Sequence, residues 1–473
     1  MISARLTSSA LRLLFLALLV AAASIVPDRP GLIRPAGGVV AFVGGTLIDG
    51  TGAEPVLGCT VLIEDERIIA VGAKVEIPEG AEVIDVSGHT LVPGLIDMHG
   101  HLFTNLGGNF ENEMVPFARL YLAGGVTTIF TAGEEFPDEV LSFRDAQREG
   151  LEIGTRIYSA GPYFDHADGV GPGGTLDGAE SARAMFEEWG GKIDGVKVYM
   201  GITPEEFSAV AERAHAAGLT VTGHLGSLTA SKAIELGIDR LEHGLYAMSE
   251  FGSPSSSNPF GLEFMQGIAD IDFDSAPGKS LIEQVVENGV VLDPTTVTLE
   301  SLFGGPLQLT NWRQYLTPNA LKANDQMIRA LGAMRARMAP AEEWSDLVER
   351  VLEKQRELII RVHAKGGKVV AGTDPVFVDI LPGYGLHREV EHFVLAGMTE
   401  LEAIRACTLD AAESLGLEKE LGSIEVGKYA DLVVLEGNPA DDITALGGTK
   451  IVCQAGARFS PEELRESVIG AIE

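Results

Sequence analysis

Between residues 120 and 400 one pattern of apolar and polar positions keeps returning. A helix-like stretch ends at a glycine, and a run rich in Val, Ile and Thr follows at once. "LAGGVTTIFTAG", "AHAAGLTVTGHLG", "ELGIDRLEHGLY", "ENGVVLDPTTV" and "AKGGKVVAGTDPV" are the clearest copies. The glycine suits a left-handed helix C-cap, and the β-branched run suits a strand buried on both faces. With "GLIDMHGH", "TRIYSAGPY" and "DGVKVYMG", eight candidate strands alternate with helix-length segments. Such alternation predicts right-handed βαβ units and a parallel sheet, and eight units in roughly 300 residues is the count of an α/β fold of the (β/α)8 barrel type. A doubly wound open sheet is the alternative, but no phosphate-binding glycine fingerprint opens the first unit.

The flanks follow a different period. "VVAFVGGTLIDG", "CTVLIEDERIIAVG" and "AEVIDVSGHTLVPG" read as short strands separated by turn signals, and so do "GSIEVGKYADLVVLEGNP" and "GTKIVCQAGARF". Neither flank alone has enough strands to bury a face, so the two are expected to combine. The predicted organisation is a barrel over 91–414 and a composite β-sandwich from 38–90 and 415–473. Two long insertions, 247–280 and about 300–360, leave the C-terminal face of the predicted barrel. They suit a lid or substrate wall, or an inert surface excursion.

Composition narrows the class. The 473 residues carry a formal charge of -33, spread along the chain. That argues against nucleic acid and anionic membrane as partners, and for a solvated acidic surface. A small-molecule substrate is expected, and a homo-oligomer is compatible with the pattern. "MISARLTSSALRLLFLALLVAAAS" has the basic start, short apolar run and small residues of a signal peptide over 1–23. The expected protein is therefore exported, periplasmic or secreted, without stable membrane association after cleavage. The 3 cysteines are too few and too scattered for a disulfide framework or a structural zinc site. Any metal must be held by histidines and carboxylates.

Those residues gather at one end of the predicted strands. Alternate residues of a strand share a face, so His99 and His101 both point inward where the first strand ends. Lys197 lies on the fourth strand, with Val196 and Val198 on its opposite face. His224 ends the fifth strand, His243 the sixth and Asp374 the eighth. Together they point to a metal centre. By contrast, His215 and His363 precede helix-ending glycines, where a cation suits the helix dipole, and His89 falls in a connecting loop. His387 and His392 read as surface or packing histidines. A buried ammonium at Lys197 would be deprotonated, paired with a carboxylate such as Asp194, or converted by carbon dioxide into a carbamate. A carbamate has two oxygens and can bridge two metals about 3.5–4 Å apart.

"PGLIDMHGH", "GVKVYM", "HLG", "EHG", "GTDP" and "GSIEVGKYADLVVLEGNP" resemble the amidohydrolase superfamily, from about residue 38 onward. Lys197, "AHAAGLTV" and "LEHG" are similar to its prolidase-like dipeptidase and N-acyl-amino-acid hydrolase group. The resemblance implies two divalent metal ions, usually zinc, with Lys197 carboxylated. It puts His99, His101, Lys197 and Asp374 on one metal, and Lys197, His224 and His243 on the other. It further implies hydrolysis of an amide by a metal-bridging hydroxide, with Asp374 as the catalytic proton carrier. His166, Tyr199, Tyr246 and Arg388 stand near strand ends as candidates to meet the substrate. Leu225, Gly226 and Ser227 follow His224 in place of the H-x-x-E arrangement of the deaminase branch, and Pro375 replaces a small residue after Asp374. A lactone or phosphotriester hydrolase using the same centre is the alternative; a non-catalytic binding protein is disfavoured by the complete ligand set.

Overall fold

The computed structural model describes residues 32–33, 38–106, 108–168, 174–226, 228–247, 262–307 and 310–473. The expected signal peptide, 1–23, lies outside these, as does 248–261 of the first insertion. The predicted glycine punctuation is present at every copy of the repeat. Gly237 ends the helix Ala230–Leu236 in the left-handed conformation, and Gly125, Gly218, Gly289 and Gly366 also take positive φ before their strands. A residue with a Cβ is disfavoured there, so each helix stops and the chain turns back.

The strands that follow are all parallel. Leu95–Gly100, Val126–Thr131 and Arg156–Ser159 form one three-stranded sheet. Tyr163–Phe164, Val196–Val198, Val221–Gly223, Arg240–Glu242 and Val291–Asp293 form a five-stranded one. The segment 368–371, predicted as the last strand, bonds on both sides without being a regular strand. Val370 N–H donates to Leu292 O, and Ala371 O accepts from Met98 N–H, both at 2.9 Å. On the other side, Asp194 N–H donates to Ser159 O at 2.7 Å. Backbone hydrogen bonds thus cross both gaps between the two sheets. Val196, Val198, Val221, Leu241 and Leu292 turn outward into one continuous core with the helices, which include Phe207, Val210 and Leu281. Burying each such side chain stabilises the fold by about 1.5–3 kcal/mol.

Both flanks join a single nine-stranded sheet, in which Leu432–Glu436 lies antiparallel to His89–Pro93. His89 therefore opens a strand and is not in a connecting loop; its partner, Glu436, is too distant in sequence to be foreseen. Val40, Phe42, Val61 and Ile63 of one flank share a separate core with Leu432, Val434 and Cys453 of the other.

The second insertion is helical, with Pro318–Met338 and Ala341–Ala364. It is not inert. Gln355, fully buried on the latter helix, donates to His243 O at 3.3 Å and Pro294 O at 2.7 Å. Its Oε1 accepts from Leu245 N–H at 3.0 Å. One amide side chain pins the backbone around His243.

His387 is a packing histidine, as expected. It is buried on the helix Tyr384–Ala396, and its Nε2 donates to Gly124 O at 2.8 Å. Burial pushes its pKa down from 6.5 to about 4, the bond to Gly124 opposing the shift only in part. The unfolded ring takes a proton at higher pH than the folded one. This contribution to stability is therefore complete above pH 6.5 and is lost as pH falls toward 4. Thermal melts between pH 7.5 and 4.5 should fall less steeply for His387→Gln than for the parent; parallel curves would refute this role.

Candidate metal centre

Because the strands are parallel, their C-terminal ends lie together, and the polar residues predicted there meet. His99 and His101 alternate at the end of Leu95–Gly100. Lys197 is the middle residue of Val196–Val198, its neighbours turned into the outer core. His224 follows Val221–Gly223, and His243 follows Arg240–Glu242. Asp374 is anchored by its own N–H, which donates to His99 O at 2.8 Å.

The side chains form a compact cluster. His101 Nε2 is 3.1 Å from Asp374 Oδ1, and His99 Nε2 is 3.8 Å from the same oxygen. His243 Nδ1 is 3.9 Å from Asp374 Oδ2 and 2.9 Å from Thr295 Oγ1. The rings stand edge to face or tilted in series: His101 to His99 at 5.4 Å, His99 to His243 at 4.8 Å, and His243 to His224 at 4.3 Å. Tyr199 continues the series beyond His224 at 5.0 Å, and Tyr163 lies 4.9 Å from Tyr199. Among the described residues two donor sets have ligand atoms within 4.8 Å of one another: His99, His101 and Asp374, and His99, Glu242 and His243.

Lys197 forms a buried ion pair with Glu242. Asp194, the partner suggested by sequence, instead accepts from Arg144 Nη1 and Ser159 N–H, each at 2.8 Å. It lies an odd number of residues from Lys197, and alternation points it to the opposite side. Glu242 also accepts from Thr222 Oγ1 at 2.7 Å, and Arg240 Nε donates to Thr222 at 3.1 Å. Asp293 Oδ2 lies 3.4 Å from His99 Nδ1 and 4.0 Å from Arg240 Nε. Asp97 accepts from Thr373 Oγ1 at 2.6 Å and from His99 N–H at 3.0 Å.

Sequence reasoning passed over Glu242, Arg240, Asp293 and Asp97. The signal was present in alternation, since Arg240 and Glu242 stand two apart, as do Asp97 and His99. Glu242 and His243 are adjacent, however, and alternation sends neighbours to opposite faces. Both reach the cluster because His243 adopts φ +61. Thr295 and Asp374 take φ +42 and +49. Left-handed backbone costs a residue with a Cβ about 1–3 kcal/mol, and such strain gathers at functional sites.

Burial sets the protonation states. It pushes His99 and His224 well below the ordinary value and His243 to about 4, so all three rings are neutral at neutral pH. For Asp374 burial acts upward but is outweighed by the hydrogen bond to His101 and by the positive charge around it. Its carboxylate is therefore held below the usual range. Neutral imidazoles and an ionised carboxylate are the forms that ligate a divalent cation. Among the described residues the buried Nδ1 atoms of His99 and His101 have no hydrogen-bond partner, which suits rings positioned by something other than protein. The donor set fits a metal.

The expected substrate contacts disperse. Tyr199 lies against His224. His166 Nδ1 is bound to Glu206 at 2.7 Å. The guanidinium of Arg388 is taken by Glu300 and Glu391, and it lines a cavity of about 470 Å3 that shares no residue with the cluster. The side chain of Tyr246 lies outside the described residues.

Comparison with known proteins places this arrangement. Residues 90–454 match the model of the amidohydrolase family. Adenine deaminase 3 of Rhizobium meliloti is 26% identical over 83% of this chain and 53% of its own. The chain spans about half the length of the adenine deaminases it matches. Ochratoxinase of Aspergillus niger is 24% identical over 88% of this chain and 84% of its own. The crystal structure of a putative prolidase from Bifidobacterium longum superposes with a TM-score of 0.67 at 24% identity, covering 92% of this chain and all of that one. The chain belongs to the amidohydrolase family.

Proposed function

We propose that this protein is a binuclear metal-dependent hydrolase of an amide bond, taking a dipeptide, an Xaa-Pro peptide or an N-acyl amino acid. The observation that carries the reading is the convergence of neutral His99, His224 and His243 with His101, Asp374 and Lys197 in one buried cluster. Likeness to ochratoxinase along most of both chains favours amide hydrolysis over deamination, as does the sequence after His224. In this reading the parallel strands close into a (β/α)8 barrel over 91–414. The hydrogen bonds that bridge the two parallel sheets support it. The flanks, 38–90 and 415–473, make a sandwich around their shared core. Residues 1–23 direct export.

His99, His101 and Asp374 would hold one ion and His224 and His243 the other, with Lys197 between them as a carbamate. Two divalent cations, zinc by family habit, acidify water and polarise a carbonyl. Carboxylation reverses the charge of Lys197 and breaks its pair with Glu242. Thr222, bonded to Glu242, and Arg240, 3.9 Å away, remain to hold that carboxylate. Asp374, ionised and beside His101, accepts the proton of the attacking water and returns it to the leaving amine. Tyr163 and Tyr199 form an aromatic wall that keeps bulk water from the reacting carbonyl.

Three outcomes are expected. With zinc and bicarbonate, the mature protein should release amine from a subset of dipeptides or N-acyl amino acids. Release only from lactones or phosphotriesters would transfer the reading to those bonds. Asp374→Asn should lower kcat by at least about 100-fold while elemental analysis still finds most of the metal. Protein loaded in 13C-bicarbonate should give a carbamate carbon resonance that Lys197→Arg lacks; an unlabelled lysine with both metals bound would rule out the bridging carbamate.

A further inference from the structure

The turn after Val126–Thr131 carries a pair of acids, Glu134 and Glu135, that neither the metal reading nor the sequence motifs use. Its backbone is tied into the site. Ala132 N–H donates at 3.3 Å to the carbonyl of Gly100, the residue between His99 and His101. Glu134 N–H donates at 3.0 Å to Gly161 O. Gly133, at φ +96, is packed so closely on the ring of Tyr163 that a Cβ there would overlap it. The turn is therefore wedged between the His99–His101 strand and the aromatic wall.

Glu134 is 2% exposed; Thr131 lies close to its carboxyl, but neither oxygen has a partner in hydrogen-bond geometry among the described residues. Glu135 turns one oxygen inward, also unpartnered among the described residues. Buried polar atoms are almost always satisfied, and a buried carboxyl left without a donor is destabilising unless something supplies one. Three such oxygens at one turn, on the rim of a reaction centre, match the three donors of an ammonium group. Burial holds the Glu134 carboxyl well above its ordinary value, with Thr131 opposing the shift only in part and the neighbouring Glu135 adding to it. The acidity of the protein surface does not account for this pair, because surface acids are solvated and Glu134 is not.

We propose that Glu134 and Glu135 form a subsite for a protonated amine on the acyl side of the substrate. This rests on the cluster being the reaction centre, and it selects peptides with a free N-terminus over N-acylated amino acids. The ammonium would sit between the Glu134 and Glu135 carboxylates, beside Tyr163, and the adjacent carbonyl would then face His101 and Asp374.

The test is calorimetric titration of the full chain, metal-loaded and carrying Asp374→Asn so that no probe is turned over, with L-alanine methylamide, a cation at neutral pH, and with its neutral N-acetyl counterpart. The cation should bind at least about tenfold tighter, a difference typical of one charge-assisted contact. Glu134→Gln, which changes neither size nor shape, and Glu135→Gln should each erase most of that preference without weakening the neutral probe. Equal binding of the two probes, or failure of both to bind, would overturn the subsite. So would a preference that survives in both variants. Binding is read without turnover, so a protein that hydrolyses no amide would defeat the proposed reaction and leave this result decided on its own.

Discussion

With Lys197 unmodified, removing an ammonium and a carboxylate from water together is the constraint around which the interior is arranged. Lys197 and Glu242 are 1% exposed. Each would cost several kcal/mol to bury alone, and losing one partner of such a pair typically costs about 3–5 kcal/mol. Their attraction repays that cost only if the remaining lone pairs are met. Thr222 Oγ1 donates to Glu242 and in turn accepts from Arg240, and Asp293 lies within reach of Arg240. Every member sits on a parallel strand with its outward neighbours in the hydrocarbon core. The polar interior and the apolar outer face are thus two consequences of one alternation.

Above that polar floor the backbone departs from regular strand geometry at the positions where chemistry is expected. His243, Thr295 and Asp374 take left-handed φ, which strand residues avoid. Each is held from outside the strand. Gln355 fixes the carbonyls of His243 and of Pro294, the residue before Thr295, and His99 O receives the N–H of Asp374. Thr298 Oγ1 donates to Thr373 O at 2.6 Å. The long helix that carries Gln355 belongs to an insertion, yet it determines where a candidate ligand points. Strain at the site is thereby supported by packing remote from it.

The strand–glycine repeat made the parallel architecture legible, because a glycine that must adopt positive φ leaves the same mark at each helix end. The two histidines of "HGH" and Lys197 were legible for the same reason: alternation alone assigns them a face. Glu242 was not, since it adjoins His243 and only a left-handed residue lets both face inward. Nor was the strand status of His89, whose partner is supplied by the opposite end of the chain. Arg388 shows the complementary failure. A strand-end arginine looks available in a sequence, but Glu300, brought in from the second insertion, and Glu391, one turn along its own helix, already occupy it. Local period fixes which face a side chain takes; it does not say what arrives from elsewhere to meet it.

That distinction bears on how the cluster would be tuned. His99, His224 and His243 are kept neutral mainly by burial, and burial is a property of the whole wall: the aromatic series from Tyr163 to His101, the insertion helix, and the turn at Gly133. Opening that wall to water would raise the imidazole pKa values toward 6.5 and let protons compete with any cation for the same nitrogens. The carboxylate of Asp374 depends instead on specific neighbours, His101 first among them, and would drift upward if those were lost. Nitrogen donors set by exclusion of water and an oxygen donor set by direct contact respond to different changes in the protein. A cluster built from both keeps one kind of ligand when the other is disturbed.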